Sequence, residues 1–330
     1  MTYQILKLPA NEADINDLCS LSLWANPKLL NIFAERDDVV AYYLVIKKKN
    51  HDEASYDLNK DTSLNSALMI MPLFEKKKFS IKYIHQPLEY YYTPVLFFLN
   101  DKKYDFENMN MKLSLLKELG AYLRKNYLKI KITFDYSLTD VRGFSWAGFR
   151  CTPSYTFIKD ISSYDRNEVF PKQKRYINKA LENNISISTE WNLDVIEELS
   201  NSMLNRKNRD KRHISDKYLN FYEKLHNEGL CFMVSAYKDN LPLAFRLLLF
   251  DFQSKYLYDF LAGANQQGNS LGANILCLDY LFSNSICLLN SYYQAFNCFD
   301  FCGANTESIA YFKSQFNGRL VHYYNIEKSI

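Results

Sequence analysis

Two stretches in the last third of the chain carry residues whose types and spacing could do chemistry. The first is QQGNSLGAN at 266–274, between a run ending in LAGAN and a long apolar segment. Gly268 and Gly272 let a backbone turn tightly and approach a ligand closely. A helix opening just after them would present free N–H groups and the positive end of its dipole. Such a loop grips a pyrophosphate or ester phosphate without charged side chains. Its candidate residues are Gln267, Gly268, Gly272, Ala273 and Asn274. An ordinary strand-to-helix turn capped by Asn269 or Ser270 fits the same letters.

The second stretch is FDFCGANTESIAYFKSQFNG at 299–318. Asp300 stands at the end of an expected strand, Gly303 makes a turn, and a helix over 306–316 carries Ile309, Phe312 and Phe316 on one face. Asp300 either caps this turn or orients a reacting amine. No G-x-S-x-G elbow exists and no cysteine sits in a nucleophile signature, so covalent catalysis is not indicated. Acyl transfer to an amine needs no such nucleophile. It needs an activated acyl group, a deprotonated amine and stabilisation of the tetrahedral oxyanion.

Basic stretches offer anion sites. FPKQKRYINKALE at 170–182 puts Lys172, Arg175 and Lys179 on one helical stripe and Ile177, Ala180 and Leu181 on another. Lys172 and Lys174 fall in the first turn after Pro171, where the helix dipole disfavours cations; a bound anion or a solvated face each accounts for that choice. NRKNRDKRH at 205–213 adds Arg206, Lys207, Arg209, Lys211 and Arg212 around Asp210. A nucleotide diphosphate, coenzyme A or transfer RNA suits these charges. His213, His226 and His322 lack a ligand-type partner four residues away, so no metal site is expected. The run Tyr90-Tyr91-Tyr92 fits either a substrate-stacking surface or a strand in a tyrosine-rich sheet.

The elements that must position these residues follow one order twice. Strands are expected at 39–47, 66–74, 80–84 and 91–98, with a polar hairpin tip at 50–61. A helix with Leu113, Leu116, Leu119 and Leu123 spans 111–127, and a strand covers 130–134. The second half opens with helices at 171–183, 193–205 and 216–227. Strands at 230–237, 241–251 and 255–264 follow, then a helix at 273–292, a strand at 298–302, a helix at 306–316 and a strand at 319–326. This is an α+β arrangement of mixed, mainly antiparallel sheets flanked by helices. The boundary falls after Arg150-Cys151-Thr152-Pro153, giving domains 1–157 and 158–330. A length of 330 residues suits two domains.

Composition narrows the classes. A hydrophobic fraction of 48%, a charged fraction of 23% and few glycines and prolines describe a globular chain rather than a disordered one. A net charge of +3 gives no global attraction to nucleic acid, and no DNA partner is expected. The seven cysteines form no C-x-x-C pair, which favours a reducing compartment. The N-terminus lacks a basic start followed by an apolar run, and apolar stretches such as 95–99 and 247–250 are too short to span a bilayer. The expectation is a cytoplasmic protein with no transmembrane segment.

The stretch at 266–274 resembles the Q/R-x-x-G-x-G/A loop of the GNAT superfamily, which joins the fourth strand to the next helix and holds the pyrophosphate of coenzyme A. Gln267, Gly272 and Ala273 are the nearest equivalents, and the glycine spacing differs. The equivalent stretch of the first half, 98–110, has no glycine, so only the second half would hold a phosphate this way. The tail resembles the FemABX family of aminoacyl transferases, which have two GNAT-like domains: its D-F-x-G strand end and F-K pair appear as Asp300-Phe301-Cys302-Gly303 and Phe312-Lys313. YIHQPLEYYYTP at 83–94 resembles the Q-P-x-x-x-x-x-G segment of relatives found near bacterial polysaccharide genes, with Thr93 where glycine is usual. SWAGFRCTPSYTFIKDI at 145–161 resembles their W-x-G-F…Y-T-x-x-x-D-L link, and KRYINKALENNISI at 174–187 their R-x-I-x-K-A helix.

The resemblance implies two tandem GNAT-like domains, the first binding an acceptor and the second holding donor and catalytic site. In GNAT enzymes a tyrosine on the last helix protonates the departing thiolate; aligned from Asn305, that position holds Phe312. Lys313 beside it is implied to stabilise the oxyanion or leaving oxygen, and a solvated lysine on an amphipathic helix is the plain alternative. The implied reaction moves an acyl group from acyl-coenzyme A, or from aminoacyl-transfer RNA, to an amine of a cell-envelope precursor or sugar, small or nucleotide-linked. A non-catalytic binding module descended from a duplicated GNAT fold is the reading from another class. A collapsed stretch at 266–274 would favour it.

Overall fold

The computed structural model describes residues 3–11, 22–49, 66–99, 105–206, 214–284 and 296–328, with the side chain of Arg206 outside that set. Two compact units divide the chain: Met1–Ser154 with His322–Ile330, and Tyr155–Val321. Two strands cross the division, β7 (Arg150–Asp160) and β13 (Arg319–Glu327).

The first unit contains β1 (Tyr3–Pro9), α1 (Pro27–Asp37), β2 (Val40–Lys48), β3 (Ala67–Lys78), β4 (Ile81–Ile84), β5 (Leu96–Phe97), α2 (Asp105–Asn126), β6 (Lys131–Thr133) and α3 (Arg142–Trp146). Its sheet runs β1-β2-β3-β4, antiparallel throughout, with β5 also paired to β3. The leucine stripe of α2 (Leu113, Leu116, Leu119 and Leu123) is buried in one core with Leu44 and Met71 of this sheet and with Ile132 and Phe134. The far end of β13 pairs with β6 in register Asn325↔Thr133, so residues more than half the sequence apart share one sheet. Tyr90 and Tyr92 are buried with their rings edge-on to Trp24, at 5.4 and 5.6 Å. They form core rather than an exposed stacking surface.

The second unit contains α4 (Pro171–Glu182), β8 (Ser186–Ser188), α5 (Leu193–Arg206), α6 (Asp216–Asn227), β9 (Cys231–Lys238), β10 (Leu241–Asp251), β11 (Tyr256–Ala264), α7 (Gln266–Leu271), α8 (Ala273–Ser283), β12 (Cys298–Asp300) and α9 (Glu307–Ser314). The sheet order is β7-β12-β11-β10-β9-β8. Asp239 and Asn240 both sit at positive φ (51° and 63°) between β9 and β10, as a tight two-residue hairpin requires. All pairs are antiparallel except β11 with β12, which is parallel and joins only Tyr256–Tyr258 to Cys298–Asp300. Beyond Tyr258 the two strands part: β11 continues through 259–264 while the chain after Asp300 turns away. The fork between them positions the site.

Several elements differ from the sequence expectation. β1, α1, α3 and β8 were not expected, and 150–160 is a strand rather than a connection. The strand expected over 91–98 is reduced to β5. The hairpin tip at 50–61, the basic residues 207–213 and the segment 285–292 lie outside the described residues.

Candidate functional site

The turn after β12 is braced from below. Asp300 is fully buried, and its Oδ1 accepts from the Thr156 hydroxyl at 2.7 Å and from the Cys302 N–H at 2.8 Å. The Gly303 N–H donates in turn to Thr156 Oγ1 at 3.0 Å. Cys302 and Gly303 both take positive φ, 52° and 104°, and the second value is one that only glycine adopts easily. Asp300 therefore holds this turn; it does not cap α9, whose N-cap is Thr306. Burial pushes the Cys302 thiol well above its ordinary pKa, which removes it as a nucleophile at neutral pH.

Lys313 reaches back from the last turn of α9 into this bend. Its Nζ donates to the carbonyl oxygens of Phe301 and Gly303, the latter at 2.6 Å. The solvated-lysine alternative is thereby set aside. An ammonium has three N–H donors, and the third has no acceptor among the described residues. Burial lowers the pKa of Lys313, while the Asp259 carboxylate, the Cys302 thiol and the Asp300 carboxylate work to raise it and Arg246 to lower it. Phe312 stands apart from this group: it packs on the core edge-on to Phe316 at 5.3 Å.

The Lys313 environment contains two residues that the sequence reading missed. Arg246 of β10 is 2% exposed, and its Nη1 contacts both carboxylate oxygens of Asp259 of β11 at 2.6 Å. Nε of Arg246 is buried without a hydrogen-bond partner. The sequence did carry a signal: a lone arginine inside the apolar run LPLAFRLLLF and an aspartate inside YLYDFLAGA. Buried charges of this kind occur only when paired. The register of the two strands slips between Leu247 and Leu248, opposite Leu261 and Asp259 respectively, so that Phe260 is the extra residue of a bulge. Bulges of this kind re-aim side chains beside functional sites.

The stretch at 266–274 is not an open loop. It folds as α7, capped by the Asn265 side chain accepting from the Gly268 N–H at 2.7 Å, then kinks at Gly272 (φ 82°) into α8. A Cβ on Gly268 would lie 2.1 Å from the Leu243 carbonyl oxygen, and one on Gly272 would lie 2.4 Å from that of Tyr176. The open face of each glycine is thus filled by the protein's own backbone, letting α7 press on β10 and α8 on α4. Gln267 is exposed, Ala273 is buried, and Asn274 is half-buried with its Oδ1 unpartnered.

Of the basic candidates, Lys172 and Arg175 are exposed on α4. Lys172 Nζ stands 5.9 Å from the centre of the Tyr311 ring, beside a cleft of about 490 Å³ lined by Glu168, Phe170, Tyr311, Ser314, Gln315 and Asn317. Lys179 Nζ donates to the Ser270 carbonyl at 2.9 Å, tying α4 to α7. The backbone of Arg206 ends α5, and its side chain lies outside the described residues. The first unit has a cavity of about 710 Å³, whose lining includes Phe97, Asp105, Asn108, Lys112, Leu116 and Asp140. No cluster of metal-ligating side chains occurs among the described residues, and none of their helices is long and apolar enough to cross a membrane.

No family model matches the chain, and no curated protein matches it by sequence. Solved structures do. FemX is 13% identical with a TM-score of 0.64, over 97% of this chain and 96% of its own. The fold is that of FemX. A conserved protein of unknown function from Bacteroides thetaiotaomicron VPI-5482 shares it at 11% identity and TM-score 0.54, over 96% of this chain and 93% of that one. L-PGS from Bacillus licheniformis shares it at 11% identity and TM-score 0.51, over 78% and 81%. The two α+β units of this chain are those of the FemX fold.

Proposed function

We propose that this protein is an acyltransferase of the FemABX type, moving an activated acyl or aminoacyl group to an amine of a cell-envelope precursor or sugar. The observation that carries the reading is the Lys313 ammonium at the fork, anchored by two carbonyls with one N–H donor left over. Attack by the acceptor amine converts the donor carbonyl to a tetrahedral oxyanion, and in this reading the spare N–H donates to that oxygen. Collapse expels the donor oxygen or sulfur, which takes up a proton as the new amide nitrogen loses one. Asp300 serves by fixing the turn that supplies both anchoring carbonyls.

Of the two donors, aminoacyl-transfer RNA is favoured over acyl-coenzyme A, because the N–H groups of Gly268 and Gly272 are already donated to Asn265 Oδ1 and the Asn269 carbonyl. Gln267 and the exposed Lys172 and Arg175 are the donor-side contacts in this reading, with Arg206 as a further cation. The acceptor is assigned to the first unit. Its cavity combines carboxylates suited to an amine or hydroxyls with an apolar wall of Phe97 and Leu116. Both donors are made in the cytoplasm, and this reading puts the protein there with them.

The closed glycine segment also favours a second reading, a binding module without turnover. One experiment separates them. Purified protein is given labelled aminoacyl-transfer RNA or acetyl-coenzyme A with amino-sugar and peptidoglycan-precursor acceptors, and labelled amide is counted for the parent, Lys313→Ala and Lys313→Arg. Transfer by the parent, reduced on the order of 10²–10³-fold in Lys313→Ala, supports the enzyme. Donor or acceptor binding with no transfer by the parent supports the module.

A further inference from the structure

Lys313 cannot work alone at this depth. Moving an ammonium out of water favours its neutral form, and a neutral amine would neither hold both carbonyls as firmly nor stabilise an oxyanion. Some buried negative charge must oppose that tendency. The charged and titratable groups facing Lys313 are Asp259 on β11, Asp300 on β12, Cys302 in the turn and Arg246 on β10. Asp300 Oδ1 is already committed to Thr156 and Cys302, and the Cys302 thiol is neutral. That leaves Asp259.

We propose that Asp259, clamped by Arg246 across the bulge between β10 and β11, is the positioning residue that keeps Lys313 charged and aimed into the fork. Three features of the geometry support it. Arg246 meets both oxygens of Asp259 through one nitrogen, with side chains 3% and 8% exposed, so the carboxylate is fixed in place. The register slip places Asp259 at the point where β11 leaves β12, next to the turn that Lys313 anchors. The pair buries an arginine with an unsatisfied Nε in the middle of an apolar strand. Apolar replacements of buried ion pairs are often neutral or stabilising, so packing alone does not account for this one. The inference rests on the transferase reading for its purpose, while the electrostatic coupling stands by itself.

The test reads Lys313 directly. The protein is labelled with 15Nζ-lysine, the Lys313 resonance is assigned by its loss in Lys313→Met, and its titration midpoint is measured in the parent, Asp259→Asn and Asp259→Glu. The midpoint is expected to fall by about one pH unit or more in Asp259→Asn and to recover in Asp259→Glu. The alkaline limb of the transfer rate should move by the same amount, with kcat falling and KM nearly unchanged. An unmoved midpoint in folded Asp259→Asn overturns the proposal. Should Asp259→Asn fail to fold, Asp259→Ser is read in its place, and an unmoved midpoint in folded Asp259→Ser overturns it equally. A midpoint that moves in a protein whose parent form shows no transfer would uphold the coupling and sink the transferase reading.

Discussion

Replacing Asp300 by alanine should cost far more stability than activity per folded molecule. The carboxylate lies in a fully buried position and serves two donors, the Thr156 hydroxyl and the Cys302 N–H. Each buried donor stripped of its acceptor costs about 1–3 kcal/mol, so the pair gives about 4 kcal/mol. For a unit the length of Tyr155–Val321 each kcal/mol lowers Tm by about 2–4 °C, and the loss should be about 8–16 °C. Asp300→Asn retains a carbonyl oxygen at the same place and should lose only about 1–2 kcal/mol. Melting followed by circular dichroism, with urea titration of the same samples, measures both. An alanine variant melting within about 2 °C of the parent would refute the idea that Asp300 braces the turn. Equal melting of alanine and asparagine variants would refute the hydrogen-bond accounting specifically.

Gly272→Ala should destabilise by about 2–4 kcal/mol, because a Cβ meets Tyr176 oxygen at 2.4 Å and φ is 82°; urea midpoints measure this. Arg166→Ala should cost about 1–3 kcal/mol, since it strips the buried Asp279 of a bidentate but half-exposed partner and leaves the Tyr164 hydroxyl at 2.9 Å. In the folded protein Cys277, its thiol pushed up to about 12 by burial, and the buried Cys231 and Cys302 should resist alkylation at pH 8, while the half-buried Cys151 and Cys298 react. Mass spectrometry before and after unfolding gives the outcome.

Long elements with one strong period were legible in the sequence. The leucine stripe of α2, the apolar strands β2, β3 and β10, and the amphipathic α4 and α6 appear near their expected places. β7 was not, because Pro153 and its polar neighbours read as a linker, whereas much of that strand is exposed and takes its order from its partners. The glycines at 268 and 272 were read as letting the backbone approach a ligand; Leu243 and Tyr176 make the close approach instead, and no local pattern could say so. Lys313 was singled out by resemblance. Its burial depends on two carbonyls ten and twelve residues earlier, and helical periodicity does not reveal them. Arg246 and Asp259 were visible as charges in apolar runs and were passed over because each alone looks like an ordinary strand residue.

The return of β13 to the first unit bears on how the chain can be made. Its sheet partner β6 lies 192 positions earlier at the Thr133–Asn325 contact, and Tyr155–Val321, most of what lies between them, folds as the second unit. On the ribosome the first unit must therefore wait with one edge unpaired until the whole second unit has emerged, since domains otherwise fold in order of synthesis. Exposed edges of that kind invite aggregation, and chaperone occupancy on the nascent chain should persist past the point where residue 154 leaves the tunnel. For expression work the same topology means that a fragment ending at Ser154 lacks an internal strand of its own core. Circular permutants that join β13 directly before β6 are the dissection to attempt.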